Sequence, residues 1–168
     1  SGIKGALVDL DTGEFTAPRC RIPTPEGARP DDVAAVMKEL VRHFNWDGPI
    51  GCGFPAIIRK GVAYSAANVH ESWIGTDVNK LFKASAGCPV FTANDADVAG
   101  IAEMRFGVGK EYQEGVVLLL TLGTGIGTAV FVNGHLLPNT ELGHIEVKGK
   151  DAERRASAAV RKNKKLSW

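Results

Sequence analysis

The chain has 168 residues, of which 44% are hydrophobic and 23% charged, and a formal net charge of +1. That is the makeup of a globular protein large enough for one ordinary domain or two small lobes. Near-neutrality excludes a global electrostatic pull toward nucleic acid or an anionic membrane. Cys20, Cys52 and Cys88 are odd in number and lack ligand spacing, which argues against a disulfide framework or zinc ribbon and for a reducing compartment. No apolar run approaches the length of a membrane span, and the first residues carry no basic-then-apolar signal pattern.

In chain order, Ser1–Gly5 reads as a small-residue loop, Ala6–Leu10 as a strand, Asp11–Gly13 as its turn and Glu14–Arg21 as the returning strand. Pro23, Pro25, Gly27 and Pro30 mark a loop. Asp31 or Asp32 is placed to cap a helix through about His43, with Val33, Val36, Leu40, Val41 and Phe44 as its apolar stripe. Pro49–Pro55 reads as a strand entering a tight turn, and Ile57–Val62 as a short hairpin. Ala66–Val69 opens an irregular loop containing Trp73. Asp77–Ala86 is a predicted helix stopped by Gly87. Pro89–Thr92 is a further strand, followed by Ala93–Asp97 and an alanine-rich helix to about Phe106. The tail from Asp151 is helix-forming and basic. The chain opens without an initiator methionine and closes in a charged helical stretch, so it reads as a fragment.

Val116–Gly134, VVLLLTLGTGIGTAVFVNG, organises the rest. Two strand-length apolar runs flank a loop in which Gly123, Gly125 and Gly127 alternate with Thr124, Ile126 and Thr128, and Asn133–Gly134 is a turn dipeptide. A tip with so little side-chain bulk lets backbone amides and threonine hydroxyls approach an anion, with phosphate the obvious candidate. An ordinary glycine-rich hairpin is the alternative. The loop is neither a P-loop nor a dinucleotide fingerprint, because no Gly-Lys-Ser/Thr follows and it leads into a strand. A weak internal repeat relates the first loop and strand to this hairpin. It places a boundary near residues 92 to 95, with lobes of residues 1–92 and 93–168.

Asp95 lies where a strand passes into a helix, a usual ligand position in α/β folds. It suits a general base for a substrate hydroxyl, ordered by Asn94, or alternatively a simple helix cap. Asp97, on the first helical turn, reads as a surface residue complementing the helix dipole. Glu141 and His144 lie i, i+3 around Gly143. They are placed to hold two neighbouring hydroxyls, or merely to tie down a loop, and a zinc reading lacks a following cysteine or histidine. Lys4, beside Ser1 and Gly2, is either a phosphate-neutralising cation or a solvated lysine. Arg161, Lys162, Lys164 and Lys165 in the tail form either a track for a polyanion or a solvated helix face.

Together these residues resemble the ROK (repressor, open reading frame, kinase) family, in particular its polyphosphate glucokinase branch. SGIKGALVD at Ser1–Asp9 resembles the back half of the first phosphate motif, and LTLGTGIG at Leu120–Gly127 the second. NDAD at Asn94–Asp97 is similar to the segment supplying the catalytic aspartate, and ELGH at Glu141–His144 to the sugar-binding Glu and His. AEMRFG and GHIEVKGKDAE are close to the branch, which also lacks the Cys-rich zinc motif of most of the family.

The resemblance implies an α/β fold of the actin-like, hexokinase-type (ribonuclease H-like) class, two-lobed and incomplete at both termini. It implies phosphoryl transfer from polyphosphate or ATP to the 6-hydroxyl of glucose, with Asp95 as base. Asn68, Asn94, Asp95, Glu141, His144 and Glu153 would hold glucose; Ser1, Gly2, Lys4, Gly123, Thr124, Gly125 and Gly127 would hold phosphate. Mg²⁺ would arrive with the donor, with no zinc and no metal ligand among the site residues. It further implies a cytoplasmic enzyme, homodimeric at full length, with no nucleic-acid or membrane partner. An ATP-dependent gluco- or mannokinase, a sugar-sensing regulator and an inactive fragment are the alternatives.

Overall fold

The computed structural model describes residues 2–167. They divide into two compact units, the first ending at Asp95 and the second starting at Ala96.

In the first unit, β1 (Gly2–Gly5) pairs antiparallel with β2 (Cys20–Pro23), Lys4 opposite Arg21. The expected loop at the start is therefore a strand. Its small residues serve close packing: the Arg21 side chain lies over Gly2, and Leu40 and Phe44 press on Gly5, where a Cβ would be 3.4 Å from Leu40. The strand expected at Ala6–Leu10 does not form. Only a single bridge joins Val8 to Phe15, and Val8, Leu10 and Phe15 are all exposed, so no buried face fixes a register there.

Helix α1 (Pro30–Phe44) starts one residue before the predicted caps. Arg29 occupies the cap without a side-chain bond, Pro30 is the first helical residue, and Asp31 and Asp32 fall in the first turn. Proline's fixed φ and missing amide suit that position, leaving the aspartates to complement the dipole. Strand β3 (Ile50–Phe54) runs parallel to β6 (Val90–Asn94), and β4 (Ile58–Arg59) with β5 (Val62–Ala63) forms the expected small hairpin. Helix α2 (Val78–Ala86) is capped by Asp77, whose carboxylate accepts the Lys80 amide, and is stopped by Gly87 at φ 77°. The core gathers Phe54, Ala63, Trp73, Val78, Phe82 and Val90. The Trp73 ring lies 4.6 Å from Phe54 and 5.8 Å from Phe82.

Helix α3 (Asp95–Phe106) leads into the second unit. Strands β7 (Val116–Leu122), β8 (Ile126–Val132) and β9 (His135–Leu137) form an antiparallel sheet, with Asn133 and Gly134 both at positive φ in the connecting turn. Met104 of α3, Ala129 and Phe131 make its core, joined by Val117, Leu119 and Leu136. Gly100 lets α3 lie close on the sheet, since a Cβ there would be 2.6 Å from that of Ala129. On β7 the side chains alternate: Val116, Leu118, Leu120 and Leu122 are exposed on the side away from that core. The short β10 (Glu146–Val147) and β11 (Lys150–Asp151) pair antiparallel, followed by α4 (Glu153–Ala156) and α5 (Ala158–Lys164).

Candidate functional site

In the first unit, parallel pairing of β3 and β6 carries Asn94 to the carboxyl end of its strand. Asn94 is buried, and its amide donates to the Ala56 carbonyl at 3.2 Å. The next residue, Asp95, is exposed and is the first residue of α3. Buried amide and exposed carboxylate are thus fixed in sequence by one strand end. Asn68 stands on the loop before the 3-10 turn Glu71–Trp73 and lines an open cavity of about 510 Å³ with Thr24, Gly27, Ala28 and His70.

Of the first phosphate motif, Ser1 lies outside the described residues. Gly2 and Lys4 sit on β1, Lys4 exposed. Arg21, which no sequence motif marks, lies across β1 with its guanidinium against Gly2. Only the strand pairing shows this, because the two residues are nineteen positions apart in sequence.

In the second unit the glycine hairpin and the ELGH segment come together. Leu122 pairs with Ile126, leaving Gly123, Thr124 and Gly125 as the loop. The Gly123 amide donates to the Gly125 carbonyl at 3.0 Å, and the Ile126 amide donates to a Glu153 carboxylate oxygen at 3.3 Å. A side chain at Gly125 would strike that same carboxylate, and one at Gly127 would strike the Thr121 hydroxyl. A side chain at Gly125 would therefore displace the Glu153 carboxylate and one at Gly127 would crowd Thr121 and Ala96, whereas Gly123 faces open space.

Three carboxylates surround one imidazole, making a cluster of four side chains. His144 Nε2 lies 3.9 Å from Glu141, and Nδ1 lies 3.5 Å from Asp151 and 4.0 Å from Glu153. All four are partly exposed. One donor atom from each of His144, Asp151 and Glu153 falls within a mutual 4.8 Å, a spacing that could hold a metal ion. These carboxylates lie outside the cysteine and histidine pattern by which a zinc site is recognised in sequence. The short β10–β11 pair brings Asp151 round to His144.

The loop carrying Glu141 is held from below. Asp97 is 1% exposed, not the surface residue expected, and one carboxylate oxygen accepts the Asn139 amide at 2.9 Å. Two positions after Asp95 on a helix is more than half a turn away, which directs Asp97 inward. The buried Thr128 hydroxyl accepts the Leu142 amide at 2.9 Å and lies 3.3 Å from the Thr140 hydroxyl. These anchors hold Glu141 in the left-handed region at φ 44°, a conformation that non-glycine residues adopt at a cost. Asp97 and Thr128 are the positioning residues that sequence spacing alone did not reveal.

In the tail, Arg155 donates to the carbonyls of Val147 and Lys148, both at 2.6 Å, and Arg161 donates to that of Leu166. Lys162, Lys164 and Lys165 are exposed. None of the helices is long and apolar enough to cross a membrane, among the described residues.

The polyphosphate glucokinase of Mycobacterium tuberculosis (strain H37Rv) is 50% identical over all of this chain, which spans 63% of that protein. That of Mycobacterium leprae (strain TN) is 47% identical, with 52% of its length covered. Among solved structures, the inorganic polyphosphate/ATP-glucomannokinase of Arthrobacter sp. strain KM superposes with a TM-score of 0.93 at 47% identity, over 99% of this chain and 68% of that one. The fold is accordingly the mixed α/β, actin-like and hexokinase-type fold of these sugar kinases. The ROK family model matches residues 2–159, and with the ELGH cluster seated on its glycine hairpin, the chain belongs to the ROK family.

Proposed function

We propose that the protein carrying this chain transfers a phosphoryl group from polyphosphate, and from ATP, to the 6-hydroxyl of glucose. The observation that carries the reading is whole-chain identity of 47–50% to proteins named polyphosphate glucokinase. Asp95 is the general base, and its exposure at the strand-to-helix junction suits that role. Asn68, Asn94, Glu141, His144 and Glu153 hold the remaining hydroxyls. Gly123, Thr124, Gly125 and Gly127 cradle phosphate, with Ser1, Gly2 and Lys4 contributing from the first motif and residues 1–92 and 93–168 forming the two lobes. Catalysis then rests on positioning and charge stabilisation. The similarity to a named glucomannokinase adds mannose as a second acceptor.

Mg²⁺ supplies charge neutralisation at the donor phosphates. Magnesium is bound mainly through substrate phosphates, water and one or two carboxylates. The one metal-spaced group among the described residues is instead a His with two carboxylates. His144 and Glu153 are assigned to hydroxyls rather than to zinc, since structural zinc sites are built largely on cysteine. The reading includes a cytoplasmic homodimer.

The test is Asp95→Asn in the full-length protein. Turnover should fall by about 10²–10⁴-fold, the usual contribution of a general base, with glucose affinity held within a few fold. Near-normal turnover would remove Asp95 from the role.

A further inference from the structure

The cavity of the first unit has features that the assignment of Asn68 does not use. Its volume of about 510 Å³ lies within the usual range of about 300–1,000 Å³ for small-ligand sites. None of its lining side chains is a carboxylate, an ammonium or a guanidinium, so it is unsuited to phosphate and suited to a neutral, hydroxylated ligand.

One wall is held in place. Ala28 sits in the left-handed region at φ 44°, and its carbonyl accepts the indole N–H of Trp73 at 2.8 Å. Trp73 is fully buried in the core, so this left-handed residue is tied to the core by a hydrogen bond. Backbone strain retained in this way is common where a ligand is clamped.

The lining also includes His70, the cap of the 3-10 turn. Its Nδ1 accepts the Ser72 amide at 3.2 Å and lies 2.8 Å from the Ser72 hydroxyl. A ring nitrogen that accepts bears no proton, so the neutral ring carries its proton on Nε2. His70 is thereby a hydrogen-bond donor of fixed tautomer in the cavity wall.

We infer that this cavity is a subsite for the non-reacting side of the sugar, in which His70 Nε2–H donates to one hexose oxygen and so helps to set which hexoses are accepted. The inference rests on the sugar-kinase reading above and adds a specificity-determining residue to it.

The experiment titrates the full-length protein, without donor, with glucose and its 1-, 2-, 3- and 4-deoxy analogues. Wild type is compared with His70→Asn, whose shorter amide keeps an acceptor near Nδ1 for the cap but cannot reach as Nε2 does, and with His70→Gln, which restores the reach. For one analogue the loss of affinity relative to glucose should include a factor of about 3- to 10-fold from this one neutral hydrogen bond, beside the losses that deoxygenation causes at the other sugar-holding residues. That factor should vanish in His70→Asn and return in part in His70→Gln, with the unfolding midpoint of His70→Asn near that of wild type. If the ratio of every analogue to glucose is the same in His70→Asn as in wild type, His70 is only a cap and the inference is overturned. Failure of any hexose to bind wild type overturns it as well. Sugar binding without phosphorylation would refute the proposed function and leave the subsite standing.

Discussion

Replacing Gly143 with alanine tests whether the segment proposed to bind sugar and the glycine hairpin are built as one piece. The added Cβ would fall on the Ile126 carbonyl oxygen, with the carbonyl carbon at 3.1 Å and the Ile126 Cβ at 3.2 Å. Ile126 cannot withdraw easily, because it pairs with Leu122 and its amide is bonded to Glu153. Overpacking of this kind costs about 1–3 kcal/mol. If the 3-10 turn Leu142–His144 lifts away instead, the Leu142 amide loses the buried Thr128 hydroxyl, at about 1–3 kcal/mol. By either route a loss of about 1–3 kcal/mol is expected, read as a lower urea midpoint at unchanged m-value. At about 2–4 °C per kcal/mol for a chain of this size, the thermal midpoint should drop by about 2–12 °C. Glucose affinity should fall in the same variant, because Glu141 and His144 flank the displaced residue. A stability change below about 0.5 kcal/mol with unchanged affinity would refute the contact and the coupling drawn from it.

Gly123→Ala makes the opposite change: open space surrounds that position, so stability should stay within about 0.5 kcal/mol while phosphoryl transfer falls. Unchanged transfer would reduce the loop to an ordinary hairpin tip. Neutralising exposed Lys162, Lys164 and Lys165 with glutamine should weaken polyphosphate use by about 3- to 150-fold, from three surface contacts of about 0.2–1 kcal/mol each. ATP use should suffer less, and the loss should shrink with salt as screening shortens below about 8 Å; equal loss with both donors would leave the tail a solvated face. Arg161 is left out of the set because it braces the Leu166 carbonyl. Asp77→Ala should cost about 1 kcal/mol through the lost cap of α2. The Lys80 amide, then the Lys80 side chain, hold the Asp77 carboxyl below its ordinary value of 3.8. With the folded-state value depressed, the charged cap stabilises fully above the unfolded value and is lost as pH falls through the folded one. The gap between wild type and Asp77→Ala should therefore be flat from pH 6 to 8 and narrow below about pH 4; a gap that persists at pH 2 would show the charge to be idle.

Much of the fold was legible in sequence because its signals are local. Asp77 and Gly87 bracket α2, Asn133–Gly134 turns β8 into β9, and the glycine loop joins two apolar runs of strand length, each determined by φ/ψ preference and periodicity within a few residues. Asn94, Asp95, Glu141 and His144 stood out for the same reason, as reactive side chains beside strand ends and glycines. What the sequence could not determine depends on contacts between distant residues. Gly2–Gly5 became a strand because β2 came to lie beside it, and Ala6–Leu10 did not because no buried face fixed its register. Asp97 was drawn inside because the Asn139 amide needed an acceptor forty-two positions away. Asp151 and Glu153 reached His144 through a two-residue strand pair that no periodicity announces. Local chemistry named the candidate residues, and tertiary packing decided which of them share a site, because distances between remote side chains are set only when the core closes.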